Sequence, residues 1–313
     1  MTKNIEALTR EYLTYCKNQK RLNEKTLRAY NIDLRQFVLS LPVSDIASVD
    51  TKMLEAALAR LHHIYQPKTA KRKIASLKAF FHYLEYREYI LQNPFHKMQI
   101  HFREPVILPK TIPLYIIEQL LSTVYQQRVA ASTPHRRKNA LRDAAVIELL
   151  FATGIRISEL CSLRAADVNL HDGVILIYGK GSKERRLYIG SRAVLRILQE
   201  YENCFRHQID RYGHFFANQT GTRLTDQAIR RMLHKYASLA AIDLHITPHM
   251  FRHTFATSLL DADVDIRYIQ EMLGHSSIHI TEIYTHVAVG KQRDILSARH
   301  PRNGFHFDQP STV

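Results

Sequence analysis

Between Thr247 and His286 the chain reads TPHMFRHTFATSLLDADVDIRYIQEMLGHSSIHITEIYTH, a stretch rich in side chains able to handle an anion. His249, Arg252, His253 and Ala256 fall at i, i+3, i+4 and i+7, so on a helix they share one face and bring two imidazoles beside a guanidinium. Phe251, Phe255 and Leu259 recur every four residues and supply a buried stripe on another face. His275 follows Gly274, and Tyr284 lies nine residues beyond it. A guanidinium is a permanent, forked donor matched to phosphate, and an imidazole can hold or pass a proton near neutral pH. One phosphate-sized site could be reached by all of them. Singly, each has a plainer reading as a satisfied core histidine or a solvated charge; the constellation points to chemistry.

These residues need elements to hold them. Thr247 and Pro248 form a helix start, with a hydroxyl at the N-cap and proline at the first position, where its missing N–H costs nothing. A second short helix is predicted from an Asp265 N-cap through Ile266, Ile269, Met272 and Leu273 to Gly274, the residue type that most easily takes a left-handed stop. Ser276 or Ser277 can cap a third, carrying Ile278, Ile283 and Tyr284. Upstream, ATGIRISEL places Arg156 just beyond a stop at Gly154 and ahead of a helix whose N–H groups also favour an anion. Glu159 either orients that guanidinium or neutralises it in an internal ion pair. Strands are predicted over residues 168–170, 174–178 and 185–189, giving a small antiparallel sheet. Its second turn holds Lys180 between Gly179 and Gly181, without the spacing of a phosphate-binding P-loop.

His249-x-x-Arg252, then Leu273-Gly274-His275, then Tyr284, with Arg156 in TGIRISEL and Lys180 in GKGSKERR, resemble the tyrosine recombinases, or phage-integrase family, and within it the Xer-like bacterial branch that includes integrases and transposases of mobile elements. The resemblance covers nearly the whole chain and is strongest in its second half. It implies a mainly α fold with a small antiparallel β-sheet, built from an N-terminal SAM-like four-helix core-binding domain and a C-terminal catalytic domain. It implies that Tyr284 is a nucleophile toward a phosphodiester, that Arg156 and Arg252 donate to the nonbridging oxygens, and that His275 adds a further hydrogen bond. His249 is then a candidate proton acceptor, and Lys180 protonates the departing 5′ oxygen. The product is a 3′-phosphotyrosyl link that stores the bond energy, so no metal, ATP or other cofactor is expected, and a second DNA 5′-hydroxyl reverses the step. The resemblance also implies a homo-oligomer, a tetramer on DNA, or pairing with a related recombinase. The residues after Tyr284, including GKQRDILSAR, either dock on a neighbour or pack in cis.

Composition agrees with a polyanionic partner. The chain has 313 residues, of which 44 are Lys or Arg and 29 Asp or Glu, a formal charge of +15 with neutral histidines. Residues 1–100 hold 17 basic against 9 acidic side chains and the rest 27 against 20, so both halves are basic and double-stranded DNA is the leading partner. Cys16, Cys161 and Cys204 are scattered and form no Cys-x-x-Cys pair, which points away from a disulfide framework or cysteine zinc site and toward a reducing compartment. No apolar run approaches the roughly 20 residues of a membrane span, and a cytoplasmic protein working at DNA is expected.

Residues 1–100 are read as a core-binding helical domain of four helices. The fourth opens with PKTAKRKIASLK, whose Lys68, Lys71, Arg72, Lys73 and Lys78 are candidate DNA contacts with Thr69 and Ser76 among them; Lys183 and Arg185 of the hairpin join that set. Pro94, Pro105, Pro109 and Pro113 break the helical pattern. The linker is placed at residues 101–113, the catalytic domain at 114–300 and a tail at 301–313. Helices are predicted over 116–125 and 141–151, separated by a polar, basic loop at 126–140 that departs from compact Xer-like chains, and again over 193–205 and 226–239. Three other functions share parts of this pattern. A metal-dependent nuclease is suggested by the i, i+4 pairs His249/His253 and His275/His279, although neither pair encloses an acidic residue. A type IB topoisomerase shares much of the chemistry, and a noncatalytic DNA-binding regulator would not need all six residues.

Overall fold

A computed structural model describes residues 4–100, 109–179, 184–218 and 220–274. The chain divides into two compact units, Met1–Val106 and Ile107–Val313.

The first unit contains α1 (Ile5–Asn18), α2 (Glu24–Ser40), α3 (Thr51–Ile64) and α4 (Pro67–Tyr86). Local chemistry sets three of the starts: the side chains of Asn4, Asn23 and Asp50 each accept a backbone N–H of the first turn. Proline opens the fourth. The apolar faces meet in one core around Tyr12, Leu34, Leu54, Ile74, Leu77 and Phe80. Residues 94–97 form a short 3-10 turn whose Phe95 packs into this core, 5.4 Å from the Phe81 ring centroid, while Asn93 N donates to Glu85 Oε1 at 2.8 Å. Proline here ends helix but does not prevent packing, because an apolar ring follows it.

The second unit contains α5 (Leu114–Val129), α6 (Pro134–Thr153), α7 (Ile157–Ser162), strands β1 (Val168–Asn169), β2 (Val174–Tyr178) and β3 (Glu184–Tyr188), then α8 (Arg192–Tyr212), α9 (Asp226–Leu239), α10 (Pro248–Asp261) and α11 (Ile266–Leu273). Helix α6 is the hub, burying Ala144, Ala145, Val146, Ile147, Leu149 and Leu150 and packing against α5, α8 and α10. The sheet is antiparallel in the order β1-β2-β3, with Ile175 opposite Leu187 and Ile177 opposite Arg185; Ile175, Ile177 and Leu187 face the core. No described helix is long and apolar enough to cross a membrane.

The structure corrects the loop predicted at 126–140. Helix α5 continues to Val129 and α6 begins at Pro134, leaving residues 130–133 as the connection. The reason is local: Thr133 Oγ1 accepts Arg136 N at 3.2 Å and Pro134 occupies the first helical position. Arg136, Arg137 and Lys138 read as a solvated loop because basic side chains disfavour a helix N-terminus. The buried face further along outweighs that cost.

Candidate active site

The carbonyls at the end of α11 lack intrahelical partners, and three arginines from three elements meet them. Arg185, second residue of β3, donates Nε to Met272 O at 3.1 Å. Arg252, on α10, donates Nη2 to Leu273 O at 2.6 Å, and Arg156, just before α7, donates Nη2 to Gly274 O at 3.1 Å. Arg252 also donates Nη1 to Gly154 O at 2.9 Å. Arg252 thus bridges the turn before Arg156 and the end of α11, where the two guanidiniums hold adjacent carbonyls.

Both glycines are there for space and conformation. Gly154 has φ +58°, and a Cβ on it would lie 2.7 Å from Phe255 Cδ1; Gly274 has φ +64°, and a Cβ would lie 2.9 Å from Arg185 Cδ. Only glycine takes this left-handed backbone without strain while admitting such close neighbours. Asp265 caps α11 through Arg267 N at 2.7 Å, and Gly274 is its left-handed stop, both as the sequence predicts.

Glu159 lies beneath the arginines. Its Oε1 accepts Arg156 Nη1 at 2.8 Å and Arg185 Nη1 at 3.0 Å, and its Oε2 accepts Arg185 Nη2 at 2.7 Å and Arg156 N at 3.0 Å. Burial alone would push this carboxyl up, but Arg185 and then Arg156 outweigh burial and hold it below the usual carboxylate range. The two sequence readings of the Arg156–Glu159 pair therefore coexist: it is an ion pair, and it fixes the guanidinium while leaving 33% of the Arg156 side chain exposed.

Helix α10 holds His249, Arg252 and His253 together, with two departures from the sequence reading. Arg252 is only 4% exposed, because its fork turns inward to Gly154 O and Leu273 O. Thr247 occupies the N-cap position, but its side chain makes no capping hydrogen bond. Loss of hydration, then the charges of Arg230, Arg252 and Arg156, hold His249 below the usual histidine range against the pull of Asp226. Burial, then His249 and Arg252, push His253 down to about 4. Both rings are therefore neutral at physiological pH, the state in which an imidazole accepts a proton. Arg230 of α9, on an exposed position, is a member of this cationic surround that the motifs did not single out. The Gly154 and Gly274 carbonyls were likewise missed, since backbone acceptors leave no side-chain signature.

Lys180, Lys183, His275 and Tyr284 lie outside the described residues. In the first unit, Lys68, Lys71, Arg72 and Lys78 occupy exposed positions of α4. Lys73 does not: it is 4% exposed and its Nζ donates to Asp33 Oδ1 at 2.9 Å, while Ser76 Oγ donates to Asp33 Oδ2 at 2.9 Å. Helical periodicity turns both side chains toward α2, so neither meets solvent as the sequence reading required. Arg185 is turned inward as well: its side chain is 11% exposed, and all three guanidinium nitrogens serve Glu159 and Met272 O.

Two mainly helical units, the second a small sheet and helices that gather arginines around one helix end, define an anion-handling architecture. The phage integrase family model matches residues 118–291, and the model of the phage integrase N-terminal SAM-like domain matches residues 9–88. A tyrosine recombinase of Agathobacter rectalis is 65% identical over 304 residues, covering 97% of this chain and 99% of the relative. Tyrosine recombinase XerD of Listeria monocytogenes is 36% identical over 305 residues, covering 94% and 99%. The solved structure of XerH recombinase bound to a palindromic difH substrate, a post-cleavage complex, matches in fold with a TM-score of 0.70 at 21% identity, covering 93% of this chain and 84% of that one. The chain belongs to the phage integrase family, the tyrosine recombinases.

Proposed function

We propose that this recombinase cleaves and rejoins DNA at specific sites with Tyr284 as nucleophile and a 3′-phosphotyrosyl intermediate, serving integration, excision or resolution of a DNA element. The observation that carries the reading is the meeting of Arg156 and Arg252 on adjacent carbonyls at the end of α11, immediately before His275 in sequence and ten residues before Tyr284. Arg156, held by Glu159 and Gly274 O with a third of its side chain exposed, is oriented in advance toward the charge that builds on nonbridging oxygens as the phenol attacks, and the buried Arg252 reaches that charge by turning part of its fork away from Gly154 O and Leu273 O. His275 adds a hydrogen bond there, His249 accepts the phenolic proton in its neutral form, and Lys180 protonates the leaving 5′ oxygen. A 5′-hydroxyl from the partner duplex then attacks the phosphotyrosine and returns the proton balance.

Residues 1–100 act as the core-binding domain, 101–113 as linker, 114–300 as the catalytic domain and 301–313 as tail. On α4 the exposed Lys68, Lys71, Arg72 and Lys78 serve phosphate contacts; the basic balance of both halves supports this. Four protomers, or this chain with a related recombinase, assemble on paired double-stranded sites. The protein works in the cytoplasm, in keeping with three cysteines that are scattered in sequence and form no Cys-x-x-Cys motif.

The test is a nicked suicide duplex, from which the cleaved strand diffuses away and traps the covalent state. The wild-type chain is expected to give a denaturation-resistant protein–DNA adduct with chelator present, and Tyr284→Phe none. An undiminished adduct in the variant would reassign the nucleophile; loss of the adduct with chelator would favour the metal-dependent reading.

A further inference from the structure

Arg185 was expected among the DNA contacts, and the structure leaves it little to offer DNA. Its three nitrogens are spent on a bidentate grip of Glu159, at 3.0 and 2.7 Å, and on Met272 O at 3.1 Å. Its aliphatic stem lies against Gly274, where a Cβ would come within 2.9 Å. Opposite it on β2 is Ile177, which faces the core, so the strand carries Arg185 on its inward side. One side chain thereby ties three pieces of backbone: strand β3, the start of α7 through Glu159, and the last turn of α11.

The connection to chemistry runs through shared partners. Glu159 Oε1 accepts both Arg185 Nη1 and Arg156 Nη1, so the carboxylate that aims Arg156 is itself aimed by Arg185. At the same time Met272, Leu273 and Gly274 present successive carbonyls to Arg185, Arg252 and Arg156 in that order. Removing the first member leaves Glu159 with one guanidinium instead of two and leaves the end of α11 without its tie to the strand. Lysine cannot replace it, because a single ammonium on a flexible stem does not reproduce a planar fork with a third donor directed elsewhere.

We propose that Arg185 is a positioning residue of the recombination site, acting through Glu159 and the α11 end to hold Arg156 and Arg252 in register, and that it makes no contact with DNA. This rests on the reading of Arg156 and Arg252 as phosphate donors.

The test uses the full chain with Arg185→Gln, Arg185→Lys, Glu159→Gln and the Glu159→Gln/Arg185→Gln double variant. Duplex affinity is read by fluorescence anisotropy, adduct formation by single-turnover kinetics on the suicide duplex at saturating protein, and folding by thermal melting. Arg185→Gln is expected to slow adduct formation about 100-fold, the scale of a misplaced reacting group. Its duplex affinity should stay within about threefold, since no phosphate contact is lost. Arg185→Lys, which keeps the charge and guards against a Gln variant that does not fold, should recover less than about a tenth of the lost rate. The double variant should react within about threefold of the slower single variant, because both changes break one linkage.

Three results would overturn the proposal: multiplicative rate losses in the double variant, full rescue by lysine, or weakened duplex binding with the rate at saturation unchanged. The parent reading fails separately. If Tyr284→Phe still forms adduct, the nucleophile is wrong, whereas the coupling between Arg185 and Glu159 remains measurable in the same assay.

Discussion

Each unit of this molecule buries one carboxylate beneath two cationic side chains, and the two arrangements do different work. In the first unit Asp33 of α2 accepts Arg72, Lys73 and Ser76, all from consecutive turns of α4. In the second, Glu159 accepts Arg156 from its own turn and Arg185 from a strand. Asp33 staples one helix to another, and its ligands are neighbours in sequence. Glu159 joins a helix start to a strand, and through its arginines to the end of α11. Exposure does not separate them: each carboxylate holds one open cation, Arg72 at 46% and Arg156 at 33%, and one buried one, Lys73 at 5% and Arg185 at 11%. A buried ion pair is by itself weak support for stability or function; what its charges face decides which.

The largest expected effect breaks the staple. Asp33→Asn leaves the buried Lys73 ammonium without its counter-charge and should destabilise the first unit by about 3 kcal/mol. Hydrogen exchange on the full chain should locate the loss in the amides of α2 and α4, and Asp33→Asn/Lys73→Met should restore much of it. Glu159→Gln, by contrast, should leave exchange in α2 and α4 unchanged while slowing adduct formation. If instead both carboxylate changes act mainly on stability, or both mainly on rate, the distinction between staple and positioning device is gone.

The sequence carried different parts of these two regions to different depths. Helices α2, α4, α9 and α11 were legible because a capping side chain or proline stands at the start and apolar residues repeat at helical spacing. The His249-x-x-Arg252 spacing put both residues on α10, and the structure adds Arg156 beside them by way of Gly274 O. Lys73 and Ser76 turn inward from a basic run because consecutive residues on a helix point in different directions, which a count of basic residues over a few turns does not resolve. The inward turn of Arg185 was hidden for a related reason: in a strand the inward or outward side depends on register, and the register comes only with the pairing of Ile177 and Arg185. The internal acceptors of Arg252 lie 98 residues upstream and 21 downstream, contacts that spacing within one motif does not reveal.

A smaller effect sharpens the contrast through pH. The cations around Glu159 and Arg252 also act on the α10 histidines. His253 titrates near 4 in the folded chain and near 6.5 when unfolded. Between those values the unfolded state binds the proton first, so stability should fall as pH drops from about 6.5 toward 4 and should not change on this account above 6.5. Glu159 adds to the loss only at lower pH: its carboxyl is depressed, so its contribution is present above the unfolded value of 4.5 and disappears as pH falls through the folded one. Thermal midpoints measured against pH should therefore show the upper part of the acid loss shrink in His253→Gln and persist in Glu159→Gln. An unchanged upper limb in His253→Gln would mean that this ring is not the group that is buried neutral.

At the smallest scale the same lesson, like residues set to different work, separates two Thr–Pro helix starts. Thr133 Oγ1 accepts Arg136 N at 3.2 Å ahead of Pro134, whereas Thr247 stands ahead of Pro248 with no capping hydrogen bond. The sequence presents the two as equivalents. Thr133→Ala should cost about 1 kcal/mol, the usual value of an N-cap hydroxyl, because its loss leaves a first-turn N–H without its side-chain acceptor. Thr247→Ala should stay within about 0.5 kcal/mol, since the hydroxyl satisfies no helix donor and proline has already removed one orphan N–H. Denaturant midpoints of the two variants, compared at constant slope, decide the matter. Equal losses would mean that residue type at the cap position, rather than the hydrogen bond it makes, sets the stability of these starts, and the same doubt would then extend to assigning the Asp33 and Glu159 clusters different roles from their contacts.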